Sequence, residues 1–221
     1  RPLFSTNHCS ATRERVNTSL TRQRTLMVKE YFEQDIDGTH PLAALSRWDG
    51  LRFEQCRFAG LDLSRGQWRY CIFDECEFTR CDLSMLTLNN SQFQSALFDH
   101  CKLLGIDWTQ ADWAANLGHS PMFKHCLLNA GSFFGLTLNA LKIIDCKAHD
   151  VDFTEARLNN AQFGGSELAR SRFHNTDLSQ ADFSRAQGYH IDIRHNELNK
   201  ARFSSLEALS LLSSSGILLV D

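Results

Sequence analysis

One spacing dominates this chain: a large apolar residue stands at every fifth position. From Trp48 the series runs Phe53, Phe58, Leu63, Trp68, Phe73, Phe78, Leu83, Leu88, Phe93, Phe98, Leu103, Trp108 and Trp113. It misses at Gly118, resumes in register at Phe123, and continues to Phe203 with two further gaps, Ala148 and Gly188. Of 32 positions between 48 and 203, 29 are large and apolar. Only 43% of the chain is apolar, so chance cannot hold one register this long. A second column, two residues earlier, holds small residues in 22 of 32 places, and the remaining columns are mostly polar.

A five-residue period suits neither an α-helix nor a simple strand. It calls for a backbone that turns every five residues and sends one large and one small side chain inward each time. Four such turns close a square coil of about twenty residues, and stacked coils pair at about 4.8 Å. Residues 46–205 therefore predict an all-β solenoid of about eight coils, with residues 27–45 as an N-terminal cap. Caps are needed because each coil touches only its neighbours.

The register explains most residues that could suggest chemistry. Cys56, Cys71, Cys76, Cys81, Cys101, Cys126 and Cys146 all fall in the small inward column, where a free thiol acts as a small hydrophobe. Free thiols in this number suit a reducing cytoplasm. His119, His125 and Cys126 have loosely metal-like spacing, but the register turns the histidines outward and the cysteine inward. His190 and His195 read as solvated surface. We find no phosphate-binding loop, nucleophile elbow or metal-ligand cluster, so no enzyme, cofactor or metal is expected. No run of eighteen apolar residues exists to span a membrane, and no basic patch suggests direct nucleic-acid binding.

Three segments remain for specific function. The interruption around Gly118 predicts a loop leaving the wall, with Trp113, Asn116, Leu117, Gly118, His119, Pro121 and Met122 as its partner-binding members. Carboxylates recur just before the inward large residue, and Asp62, Asp82, Asp107, Asp112, Asp152, Asp177, Asp182 and Asp192 are the expected acidic surface. After Ser204 the period changes. Ser204 and Glu207 suit a capping box that opens a short helix, and Gly216 suits its end. Leu206, Leu209, Leu212, Ile217, Leu218 and Val220 exceed what one cap requires, which predicts a two-fold dimer contact over residues 206–221. Residues 1–26 stand apart, with five Arg and one Glu, and read as a disordered upstream or tag segment. The whole chain carries a net charge of −3, that segment +4 and the remainder −7. A rod of this charge can enter a protein groove that normally receives DNA.

The consensus of units such as Cys81-Asp82-Leu83-Ser84-Met85 and Ala181-Asp182-Phe183-Ser184-Arg185 resembles the pentapeptide repeat family. That resemblance implies a right-handed quadrilateral β-helix. The ending from Tyr189-His190-Ile191-Asp192-Ile193 through Ala201-Arg202-Phe203-Ser204-Ser205-Leu206-Glu207 to Gly216-Ile217 is similar to the Qnr- and MfpA-like branch, as is Leu104-Gly105-Ile106-Asp107-Trp108. It implies a cytoplasmic bacterial homodimer that mimics DNA, binds DNA gyrase or topoisomerase IV, and protects it from fluoroquinolones or from albicidin- and microcin-like peptides. Members from Gram-negative bacteria usually carry two projecting loops, whereas one is placed here. The alternative is a generic interaction scaffold with an unrelated partner.

Overall fold

A computed structural model describes residues 29–114, 119–213 and 217. The chain winds into a parallel β-solenoid of about nine turns. Its four walls are named here for their first regular inward residue: Trp48, Phe53, Phe58 and Leu63. Short parallel strands stack along each wall. Arg47–Asp49 pairs with Gln67–Arg69, Leu51–Glu54 with Ile72–Asp74, and Arg57–Ala59 with Glu77–Thr79. Partners lie twenty residues apart, so identical columns of successive coils fall on top of one another.

The stacked columns make the core. On the Phe58 wall the rings of Phe58, Phe78, Phe98 and Phe123 stack at 4.5, 4.8 and 5.2 Å. On the Phe53 wall Tyr31, Phe53, Phe73 and Phe93 stack at 5.0, 5.1 and 5.2 Å. These spacings are one strand separation, at which aromatic faces meet in van der Waals contact. The small column is buried with them, including all seven register cysteines, each a free thiol. Its polar members are satisfied: the Ser166 hydroxyl donates to the Ile143 carbonyl at 2.8 Å. Every repeat must also turn a corner, and the fifth residue usually does so at positive φ. Gly60 and Gly135 take this conformation freely, while Arg65, Tyr70 and His100 adopt it at some cost.

The ends depart from the expected boundaries. Residues 27–45 are expected as a separate cap, but the described part, 29–45, forms a coil itself. Lys29–Phe32 pairs with Leu51–Glu54, and Asp35–Ile36 with Arg57–Ala59, across 22 residues instead of twenty. A 3₁₀ turn, Pro41–Ala44, absorbs the two extra residues and hides this coil from a five-residue count.

The gap at Gly118 is an insertion of one whole repeat. Leu97 pairs with Met122, Lys102 with Leu127 and Asp107 with Ser132, all 25 residues apart, before the spacing returns to twenty. An insertion of one repeat length leaves the column assignment unchanged, which is why the sequence register does not slip.

A second irregularity lies near Gly188 and corrects the register. Phe173 pairs with Ile191, eighteen residues away, whereas Asn175 N–H already donates to the His195 carbonyl, twenty away. Ile191 is therefore the inward residue and fully buried, while Ile193, which the count places inside, is 40% exposed. Tyr189 is the cause: its buried ring packs on Phe183 and Phe203 at 5.5 and 5.6 Å and takes core space left empty at Gly188. The displaced residues bulge around Asp192. Its carboxylate accepts from the Arg194 backbone and guanidinium and meets His195 Nδ1 at 2.9 Å.

The expected capping box does not form. The Ser204 hydroxyl accepts from the Arg185 N–H at 2.9 Å, and Glu207 Oε2 accepts from Gly188 N–H at 3.4 Å. Both side chains close open donors of the preceding coil instead of the first turn of Leu209–Ser213, the short α-helix that follows.

Candidate partner-binding surface

The eight aspartates read as an acidic surface do not share one surface. Asp62 and Asp82 stand on the Leu63 wall, Asp107 and Asp152 on the Trp48 wall, Asp177 on the Phe53 wall and Asp182 on the Phe58 wall. Asp112 precedes the insertion, and Asp192 sits in the bulge. All eight do the same local work: an Oδ1 accepts the backbone N–H two residues on, at Ser64, Ser84, Thr109, Ala114, Thr154, Ser179, Ser184 and Arg194, at 2.8–3.1 Å. This is an Asx-turn, and it holds the corner.

Four of these carboxylates also meet a cation: Asp82 with Lys102 at 3.4 Å, Asp152 with Arg172 at 2.7 Å, Asp182 with Arg202 at 2.6 Å and Asp192 with Arg194 at 2.9 Å. Hydrogen bonds from Ser64 hold Asp62 below the usual carboxylate range, and those from Arg194 and His195 do so more strongly at Asp192. At Asp152, Asp177 and Asp182 partial burial pushes the pKa upward, but the turn hydrogen bonds outweigh it and the net shift is down. The column is thus consumed largely by the fold.

Unbalanced negative charge lies elsewhere. In the first coils of the Phe53 wall stand Glu30, Glu33, Glu54, Asp74 and Glu75, at positions before and after the inward residue. Arg52 is shared between Glu54 and Asp74 at 3.7 Å from each, and Lys29 lies at the edge. Around the next corner a shallow groove of about 480 Å³ is lined by Glu33, Asp35, Gln55, Cys56, Arg57, Glu75 and Glu77. Reading one column of the repeat missed these carboxylates. Summing charge at twenty-residue steps would have joined Glu54 to Asp74 but missed Glu30 and Glu33, whose coil is 22 residues long.

Of the expected loop, Asn116, Leu117 and Gly118 lie outside the described residues. The flanking members are largely claimed by the solenoid. Trp113 is half-buried; its Nε1 donates to the Trp108 carbonyl at 2.8 Å and its ring packs on Phe93. Pro121 is buried in the small column, and Met122 opens the strand Met122–Lys124, so neither projects as expected. His119 is exposed, and its carbonyl accepts from Ser95 N–H where the chain rejoins the wall.

At the C-terminal end Leu206, Leu209 and Ile217 are 77, 46 and 50% exposed, and Leu212 is half-buried. Leu218 and Val220 lie outside the described residues. Among the described residues no group of three His, Cys, Asp or Glu side chains is placed to hold a metal, and no helix is long and apolar enough to cross a membrane.

Family comparisons agree with this architecture. A family model described as a pentapeptide repeat region matches residues 51–117, and one described as pentapeptide repeats (8 copies) matches residues 149–185. The chain is a pentapeptide repeat protein. Comparison with curated proteins returns no match. Among solved structures this pentapeptide repeat protein is similar to a trypsin-treated variant of QnrB1, a plasmid-mediated fluoroquinolone resistance protein. The identity is 19% and the TM-score 0.52, over 86% of this chain and 100% of that one. At this identity the likeness is one of fold. HetL, a pentapeptide repeat protein involved in heterocyst differentiation regulation in the cyanobacterium Nostoc sp., matches at 17% identity and a TM-score of 0.47, over 78% of this chain and 82% of that one.

Proposed function

We propose that this protein binds bacterial DNA gyrase, and topoisomerase IV, as a DNA-mimicking dimer, and protects the enzyme from poisons such as fluoroquinolones or albicidin-like peptides. It acts in the cytoplasm by occupancy and not by chemistry on the drug. The observation that carries this reading is the one-sided charge of the Phe53 wall, where five carboxylates in the first coils face two cations. These carboxylates lie in three stacked coils, two steps or about 10 Å from first to last, over which duplex DNA carries about six phosphate charges. The mimicry is therefore partial. It supplies attraction from one side and lets release remain easy.

The exposed leucines after Ser204 supply the dimer contact in this reading. Two such rods joined end to end through this segment carry one acidic strip at each far end. One observation favours the alternative, a scaffold for an unrelated partner: the regular aspartates serve their own corners, as any solenoid of this type requires.

The test is a gyrase supercoiling assay with fluoroquinolone or albicidin, with and without the protein. The expected result is restored supercoiling, reduced by charge reversal at Glu33 and Glu75. A protein that neither rescues nor inhibits supercoiling defeats the proposal. Leu209→Asp with Leu212→Asp is expected to give a monomer by sedimentation, and a persisting dimer would remove the C-terminal contact.

A further inference from the structure

We propose that His100 and His125 form a surface site for a divalent first-row transition ion of the imidazole-preferring class, Ni²⁺ or Cu²⁺ first. Both occupy the last position of their repeat, on the Phe58 wall, in coils joined by the pairing of Leu97–Asp99 with Met122–Lys124. Each sits at a corner with positive φ, 53° and 51°, and both side chains are exposed. The rings lie 4.7 Å apart between centres and are tilted by 40°.

That spacing is one strand separation, as in the ring ladders of the core, and it is compatible with one shared ion. An ion about 2.1 Å from one nitrogen of each ring lies about 3.2 Å from each ring centre. With one nitrogen of each ring turned to the ion, two centres 4.7 Å apart subtend about 95° there. This is the angle between neighbouring ligands in an octahedral or square-planar complex, the geometries that Ni²⁺ and Cu²⁺ favour.

A carboxylate supports the first ring. His100 Nδ1 and Asp99 Oδ1 are 2.9 Å apart, which fixes the tautomer and leaves Nε2 for an ion. A carboxylate behind a ligating imidazole is the usual supporting arrangement of metal-bound histidine, and its loss weakens binding by roughly 10- to 100-fold. The next residue in the column, Asp145, does not join, because its carboxylate folds against Gly165, where any side chain would collide with it. Water must fill the remaining positions, so the site is weaker than a structural metal centre and reversible.

A second histidine pair backed by a carboxylate lies among the described residues. His174 and His195 lie 5.3 Å apart, with Asp192 Oδ2 2.9 Å from His195 Nδ1. The same arithmetic gives about 110°, nearer the tetrahedral angle of Zn²⁺. This second pair serves as the internal control.

The experiment is isothermal titration of the full chain with Ni²⁺ alone in a non-coordinating buffer. The variants are His125→Asn, chosen because asparagine tolerates positive φ, together with Asp99→Asn and His195→Asn. The expected result is nickel binding that weakens at least tenfold in His125→Asn, weakens by roughly tenfold in Asp99→Asn, and is unchanged in His195→Asn. Circular dichroism of each variant confirms the fold, since His100 and His125 are both outside the core. Absence of nickel binding by the unmodified chain, or an unchanged affinity in His125→Asn, overturns the proposal. A loss confined to His195→Asn also overturns it and moves the site to the second pair.

Discussion

Replacing Ile191 with alanine removes three fully buried side-chain carbons from the last regular layer of the Trp48 wall, whereas the same change at Ile193 removes them from a side chain 40% exposed. Truncating a buried isoleucine costs about 2–5 kcal/mol, because the cavity relaxes only in part. Ile191 is fully buried beside its partner Phe173, so about 3 kcal/mol is a fair central value there, with under about 1 kcal/mol at Ile193. In a solenoid the cost falls on the coils that touch the site, so a local probe is better than a global melt. Native-state hydrogen exchange reads the opening of the last coils through the amides of Asp177, Ala181 and Arg202, which donate to Ala156, Leu178 and Ala181. A loss of about 3 kcal/mol speeds their exchange by about 150-fold, against less than about fivefold for Ile193→Ala. Equal acceleration by the two variants, or a larger one from Ile193→Ala, would refute the two-residue shift and the role given to Tyr189.

Two further outcomes are expected. The lowered pKa values of Asp62, Asp152, Asp177, Asp182 and Asp192 mean that their stabilisation is complete above the unfolded value of about 3.9 and is lost as pH falls through the lower folded values. The urea midpoint should therefore hold level from neutral pH to about pH 4 and fall below it, and a decline already complete at pH 5 would contradict this. The wall cysteines should resist a thiol reagent until the coils open. Burial pushes Cys71 up to about 11, and the neighbouring Cys126 thiol pushes Cys101 to about 12. Cys56, which lines the groove and whose pKa a hydrogen bond from the Cys76 thiol lowers, should react first. Rapid labelling of Cys101 or Cys126 in the native protein would show that the column is not closed.

The candidate surface was less legible than the fold. Asp62 and Asp82 were visible as a recurring column, but a column says where side chains leave the backbone, not what they bind. The Asx-turns and the arginines one coil away appear only when residues twenty apart are set side by side. The acidic strip of Glu30, Glu33, Glu54, Asp74 and Glu75 escaped for a related reason. It crosses columns, and it includes a first coil whose 22-residue length breaks the count. Ile193 misled because it keeps the register that Leu198 and Phe203 also keep, so the count shows no sign of a local two-residue shift. Only the ring of Tyr189 decides between Ile191 and Ile193.

What the sequence determined by itself is the repeat, and through it the inward and outward sides of nearly every residue from Trp48 to Phe183. The reason is physical: a corner every five residues admits one large and one small inward side chain, so the pattern and the coil are the same constraint. The tertiary structure decided what happens where that constraint lapses. It made residues 29–45 a coil, set an insertion of one repeat between Asp112 and Met122, and turned Ile193 outward. It also brought together residues remote in sequence, the carboxylates of one wall and the paired histidines of successive corners, because stacking at one strand separation makes neighbours of residues twenty or 25 apart.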